Sequence, residues 1–345
     1  MASSPKHPDL EQVVRDGLSS LVLAFGYKTG IVDALADNQP CTAEELNEKA
    51  GKKLRYTQEW LGCMVAAGIV CIAEDGKYSL PYERHVLDSW GQYSTVIPIF
   101  SEAFPQLEQV TSSNGPNGYG YQTSFLEWLD EARTPKALEN WIKQNIEPLL
   151  KLKSENTGKN FAILDLGCGF GKQSKELAKR YPNSSISATD TDKECIDHAN
   201  KERSENGPKN INFFYTPDGK LPDDWKETFD FIIMNDVLHD SSDVDAILTE
   251  TKRVLKSDGF AAAYDPPVSS YHNKVINNRM AQYYLPFSLF SCLPVSSLAS
   301  PRDKGLGIGW GYERRKQKIA ESGFDVVKVK LSVETIQEGI VFKKK

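Results

Sequence analysis

Leu10, Val13, Val14, Leu18, Leu21 and Phe25 recur at three- and four-residue intervals, which predicts an amphipathic helix at the start of the chain. A second helix is predicted from Thr42. Thr42 and Glu45 fit a capping box, in which each side chain satisfies the other residue's backbone N–H, and Gly51 stops the helix. A third helix is predicted from about Leu54 to Ala67, with Trp60, Leu61, Met64 and Val65 on one face. Val70–Ile72 and Lys77–Leu80 flank Asp75-Gly76, a hairpin turn signal. Three helices and a hairpin are the order of a winged helix-turn-helix.

From 85 to 158 the pattern is mostly helical and rich in aromatics. Thr111–Gly120 reads as a loop, Thr134-Pro135 as a helix start and Pro148 as a kink or stop. The polar stretch Ser154–Lys159 reads as a boundary. Beyond it strands and helices alternate. Strands are predicted at Phe161–Asp165, Ile186–Thr189, Ile211–Tyr215, Phe229–Met234 and Phe260–Tyr264. Helices are predicted at Lys172–Arg180 and Asp192–Glu205, and through Val244, Ile247, Leu248, Thr251, Val254 and Leu255. This rhythm predicts an α/β domain with a parallel sheet covered on both faces, whose ligands bind at the carboxyl ends of the strands. The expected domains are a winged helix over 1–84, a helical region over 85–158 and a Rossmann-like domain over 159–345. Residues 266–309 make a long connection of the kind that forms lids.

Composition changes this picture little. The chain has 345 residues, enough for two domains, and a formal net charge of −6. An acidic balance favours a small-molecule acceptor over phosphate backbones or anionic lipid. Met1–Pro8 has no apolar run of signal-peptide type, and no stretch is long and apolar enough to span a membrane. The six cysteines form no CxxC pair, so reduced thiols in a cytoplasmic protein are expected, and no metal site.

The chemistry concentrates in Ile163-Leu164-Asp165-Leu166-Gly167-Cys168-Gly169-Phe170-Gly171. A buried strand runs into a glycine turn that lets a ligand lie against the backbone. A dinucleotide fingerprint would need glycine at position 172, where the chain has Lys172. Asp165, just before the turn, disfavours a pyrophosphate and suits a cofactor with an ammonium and a sulfonium. Asp190 closes the next strand, where a carboxylate can accept both ribose hydroxyls. Asp218 follows the third strand and suits an adenine amine.

These residues resemble motif I and post-I of the class I S-adenosylmethionine-dependent methyltransferases. The resemblance runs from about 160 to 343. It implies a seven-stranded sheet with an antiparallel last strand, closed by Phe324–Leu331 and Gly339–Phe342 after a helix near Trp310–Ser322. With the winged helix in front, the chain looks like small-molecule methyltransferases such as plant O-methyltransferases. The stretch Tyr283–Gly311 is closer to a group of bacterial and animal members. The resemblance implies S-adenosylmethionine as cofactor, held by Asp165, Gly167, Cys168, Gly169, Gly171, Asp190, Thr191, Asp218 and Asn235. It also implies a homodimer through the winged helix.

His239, after the fourth strand in Asn235-Asp236-Val237-Leu238-His239-Asp240, is the candidate general base, with Asp240 or Asp236 to orient it. His272 is a second candidate. Asp265-Pro266-Pro267 is similar to a motif of amino-group methyltransferases, but it follows the fifth strand and Val268 replaces the aromatic, so it reads as a rigid loop exit. Tyr283, Tyr284, Phe287 and Phe290 read as core, as the roof of an acceptor pocket, or as both. The residues leave O-, N- and S-methylation open. A regulator that senses S-adenosylmethionine and binds DNA through the winged helix is the alternative.

Overall fold

The computed structural model describes residues 8–155, 159–301, 304–330 and 337–345. Most of Met1–Pro8, part of Ser154–Lys159 and Leu331 thus lie outside the described residues. The chain forms two compact units, Met1–Pro105 and Gln106–Lys345.

The first unit contains α1 (Leu10–Lys28), α2 (Ile31–Asn38), α3 (Ala43–Ala50), α4 (Leu54–Ala66) and the antiparallel hairpin of β1 (Cys71–Ile72) and β2 (Tyr78–Ser79). The capping box of α3 is formed: the Glu45 N–H donates to Thr42 Oγ1 at 3.2 Å and the Thr42 N–H to Glu45 Oε2 at 2.8 Å. Helix α2 has no counterpart in the sequence reading. It spans about two turns, too short for a period to stand out, and only the core reveals it. There Ile31, Val32 and Leu35 are buried with Leu46, Leu61 and Met64. Helix α1 approaches α4 closely at Gly26, where a Cβ would lie 2.6 Å from the Trp60 indole nitrogen. That indole N–H donates to Val22 O at 3.0 Å. The apolar stripe of α1 faces outward instead of into this core, with Leu10, Val14 and Leu18 exposed by 76%, 62% and 62%.

The second unit holds a seven-stranded sheet. Its strands are β3 (Ala162–Leu166), β4 (Ser185–Asp190), β5 (Ile211–Tyr215), β6 (Phe229–Asn235), β7 (Leu255–Asp265), β8 (Phe324–Lys330) and β9 (Glu338–Lys344). Their order is β5-β4-β3-β6-β7-β9-β8, and β9 runs antiparallel to both of its neighbours. Ile163, Phe231 and Ile233 bury one face of the sheet, and Leu164, Ile232 and Met234 the other. Burial on both faces is why these strands read as continuous apolar runs. Strand β3 pairs with β4 on one side and β6 on the other. The strand order therefore reverses there and opens a crevice at the carboxyl ends.

Between β7 and β8 the segment is largely helical. It contains Arg279–Phe287, a π-helical turn at Ser288–Cys292, Leu293–Leu298 and Gly311–Glu321. Phe287 is buried, with ring centroids 5.9 Å from Phe125 and 5.7 Å from Trp128. Among the described residues no single helix is long and apolar enough to cross a membrane.

Candidate active site

The glycine turn is tied to the neighbouring strand. The Gly167 and Cys168 N–H groups donate to Thr189 O at 2.8 and 3.0 Å. Gly171, at φ +75°, begins the helix Lys172–Arg180, and a Cβ there would strike the Phe213 ring at 2.5 Å. A Cβ on Gly169 would meet nothing nearer than an Arg133 nitrogen at 3.9 Å, so the backbone there presents an open cradle. Asp190 closes β4 and joins this cradle. Its Oδ2 accepts from the Gly169 N–H at 2.7 Å, and its Oδ1 from the Asp192 N–H at 2.9 Å. Burial raises the Asp190 pKa, against the pull of these backbone donors.

The other expected cofactor residues fall around this point. Thr191 is exposed beside Asp190. Asn235 ends β6, donating to Gln173 Oε1 at 2.8 Å and accepting from Gln337 Nε2 at 2.6 Å. Asp218 stands in the turn after β5, exposed, and accepts from the Lys220 N–H at 3.1 Å. Cys168 is buried, its thiol 3.6 Å from Gly169 O. Asp165 lies beneath the turn, 1% exposed, and accepts from Ser174 Oγ at 2.5 Å. Burial pushes its pKa up to about 6, although Ser174 and Arg133 pull the other way. Arg133 also lowers the pKa of Asp236, which burial raises to about 6. Nothing in the sequence pointed to Arg133, because it comes from a helical region with no motif of its own.

His239 is 2% exposed. Its Nδ1 is 2.5 Å from Asp265 Oδ1, and its Nε2 is 3.2 Å from Asp240 Oδ1. Behind Asp265 lies Arg315, fully buried, with Nε 3.3 Å from Asp265 Oδ2 and Nη2 3.6 Å from Glu338 Oε1. On the other side, the Tyr121 hydroxyl donates to Asp240 Oδ2 and lies 4.0 Å from Cys292 Sγ. One buried polar chain thus runs from Tyr121 through Asp240, His239, Asp265 and Arg315 to Glu338. Burial works against a charged His239 ring, yet Asp240, Cys292 and the Asp265 bond hold its pKa well above the ordinary value. Burial likewise opposes a charged Asp265, but Arg315 and His239 keep its pKa below the usual carboxylate value.

This geometry corrects the expected partners of His239. Asp265, read as part of a rigid loop exit, takes Nδ1. Asp240 sits at the opposite nitrogen, and Asp236 accepts from Gln337 Nε2 at 2.7 Å. His272 is exposed at the start of a short helix and is not brought into the group. Asp265, Tyr121, Cys292 and Arg315 are far apart in sequence, so no spacing could have assembled them.

Two family models match the chain. Residues 157–284 match a methyltransferase domain, and residues 17–87 match an Rv2258c-like winged HTH domain. A ubiquinone biosynthesis O-methyltransferase of Pelagibacter ubique (strain HTCC1062) is 28% identical over 170 residues, covering 46% of this chain and 69% of that protein. A proposed O-methyltransferase of Nostoc punctiforme PCC 73102 superposes with a TM-score of 0.70 at 16% identity, over 98% of this chain and 100% of the other. Human N-acetylserotonin methyltransferase, solved in complex with S-adenosylmethionine, superposes at 0.63 with 18% identity over 99% of both chains. At such identities these structures speak for the fold. Fold and family matches together define the C-terminal part as a class I methyltransferase domain, the class that takes its methyl group from S-adenosylmethionine. The chain is a methyltransferase with an N-terminal winged helix-turn-helix domain.

Proposed function

We propose that this methyltransferase acts on a hydroxyl group of a small acceptor, with His239 as the base. The observation that carries the reading is the buried 2.5 Å contact between His239 Nδ1 and Asp265 Oδ1 at the carboxyl ends of β6 and β7. A carboxylate at Nδ1 keeps the proton there and leaves the Nε2 lone pair for a substrate. Oxygen nucleophiles carry a proton that must leave as the bond to carbon forms. The Pelagibacter relative, an O-methyltransferase by name, supports the same choice.

The residues present fit the donor. The cradle at Gly169 admits a ligand against the backbone, Asp190 offers a carboxylate for ribose hydroxyls, and Arg133 offers a cation for a carboxylate. Asp218, Thr191 and Asn235 bound the same end of the sheet. S-adenosylmethionine supplies, when bound, a methyl carbon already activated by its sulfonium, so the protein's contribution is chiefly positioning. Asp265 orients His239, Arg315 keeps Asp265 ionised, and Asp240 faces Nε2, so the ring serves as base once its Nε2 proton has left. Tyr121, which hydrogen-bonds Asp240, begins a run of ring contacts through Phe125 and Trp128 to Phe287 that suits an apolar or aromatic acceptor.

The exposed apolar stripe of α1 supports the homodimer expected of the winged helix. All six cysteines are free thiols, which accords with a cytoplasmic setting. The DNA-binding regulator is the weaker reading. In α4, the recognition-helix position, Trp60, Leu61 and Met64 are buried in the core, and Arg55 pairs with Glu59.

The test is a methyl-labelling screen of phenols, alcohols and anilines with wild type and His239→Ala. Hydroxyl acceptors labelled by wild type and lost in the variant support the proposal. Labelling of amines alone, unchanged in the variant, would overturn it.

A further inference from the structure

We infer that His239 Nε2, a carboxylate oxygen of Asp240 and Cys292 Sγ form a site for one thiophilic divalent cation of the zinc class. The three donors come from two separate segments, and their ligand atoms all lie within 4.8 Å of one another. Zinc bonds of about 2.0–2.3 Å place tetrahedral ligand atoms roughly 3–4 Å apart, so small side-chain adjustments close the set around an ion. A nitrogen, a sulfur and an oxygen donor suit zinc rather than magnesium or calcium, which prefer oxygen alone. Three protein ligands leave a fourth position open for an exchangeable group.

The surroundings are those of a prepared metal centre. A histidine that ligates through one nitrogen usually donates the other N–H to a carboxylate, which fixes the ring and raises its basicity. Asp265 does this at Nδ1, and Arg315 anchors Asp265 in turn. Tyr121 donates to Asp240 Oδ2 and so fixes that carboxylate. Among the described residues Asp240 Oδ1 is buried without a hydrogen-bond partner, an anionic oxygen facing the imidazole. The imidazole edge facing it falls short of a hydrogen bond, so this oxygen would be satisfied more fully by a cation. Cys292 sits on the π-helical turn Ser288–Cys292, a distortion often found at functional sites.

Binding would displace two protons to solvent, one from the Cys292 thiol and one from His239 Nε2 of the charged ring, and the ion would take the Nε2 lone pair. Given the proposed base role of His239, on which this consequence alone rests, a loaded chain could not accept the acceptor's proton. Methyl transfer would then be sensitive to zinc.

The test uses the full chain carrying Cys63→Ser and Cys71→Ser, which remove the two exposed thiols. Zinc affinity is measured by competition with a chromophoric chelator, without donor or acceptor. One zinc ion per chain is expected, with at least about a tenfold loss of affinity on adding Cys292→Ser or His239→Ala. Cobalt(II) in the same background should give a thiolate-to-cobalt charge-transfer band that disappears with Cys292→Ser. No binding at micromolar zinc, equal affinity in Cys292→Ser, or a cobalt complex without the thiolate band would overturn the site. The cobalt spectrum is read with all three ligands present, so it decides the question even if a ligand variant fails to fold. Failure here leaves the methyl-transfer reading standing, because the labelling screen tests that reading separately.

Discussion

His239 Nδ1 lies 2.5 Å from Asp265 Oδ1, joining the loop after β6 to the last residue of β7. Both side chains are buried, so the bond forms where charged hydrogen bonds are strong and hard to replace. The contact turns two strand ends into one unit: Asp265 takes Nδ1, and Nε2 faces Asp240. Behind it the Arg315 guanidinium is fully buried and depends on Asp265 and Glu338 for its compensation.

Removal of the unit should separate catalysis from cofactor binding. His239→Ala should lower turnover with a hydroxyl acceptor by about 10²–10⁴-fold, the usual worth of a general base, with little change in S-adenosylhomocysteine affinity. Asp265→Asn should lower turnover too, and it should also destabilise the fold by about 3–5 kcal/mol, because it strips a partner from a buried cation. Steady-state kinetics beside thermal melts would read both. Full turnover in His239→Ala would remove the histidine from the mechanism.

The pH dependence follows from the ring's neighbours. Despite burial, Asp240, Cys292 and Asp265 hold the His239 pKa well above 6.5. A base acts when neutral, so kcat/KM should rise with pH through an apparent pKa above 6.5. Asp240→Asn removes the largest charge that favours the imidazolium and should move this limb to lower pH. A limb that stays in place would assign it to another group.

For the cofactor, the decisive variant is Asp190→Ala. Charged hydrogen bonds of this kind are worth about 1.5–3 kcal/mol, so S-adenosylhomocysteine affinity should fall by roughly 10–150-fold. Isothermal calorimetry on wild type, Asp190→Ala and Arg133→Ala would measure the loss. Unchanged affinity in Asp190→Ala would move the ribose site elsewhere.

Asp165 should trade stability for function. Its folded pKa of about 6 lies above the ordinary 3.8, so its ionised form is disfavoured by folding. The cost is absent below about pH 4, grows as the group ionises and reaches about 3 kcal/mol above about pH 6. Asp165→Asn should therefore raise the melting temperature of the unliganded protein at pH 8 and leave it nearly unchanged at pH 4. A lower melting temperature at pH 8 would show that the Ser174 bond outweighs the cost of burial.

The outward stripe of α1 gives a test of assembly. Val14→Glu with Leu18→Glu alters two side chains that are both 62% exposed, so folding of the chain should be little affected. Sedimentation should show a dimer for wild type and a monomer for the variant. A wild-type monomer at high micromolar concentration would end the dimer proposal.

Much of the architecture was legible because its signals are local. The capping box at Thr42 and Glu45, the Asp75-Gly76 hairpin and the helix Lys172–Arg180 each depend on neighbours a few residues away. The glycine turn and the place of Asp190 at the end of β4 were legible for the same reason, since a strand-turn-helix unit is written in adjacent residues. Helix α2 escaped because two turns carry too little periodicity, and the direction of the α1 stripe escaped because a pattern shows amphipathicity but not what covers it.

The sequence by itself determined the α/β rhythm, the strand ends and the cradle at Gly167–Gly171, because backbone conformation and burial period are written in adjacent residues. It singled out His239 as well, but not that residue's partners. Only the tertiary structure placed Asp265 at Nδ1, Asp240 and Cys292 near Nε2, and Arg315 behind them. Those contacts depend on parallel strand pairing and on the packing of the segment after β7. Such long-range geometry leaves no fixed spacing along the chain.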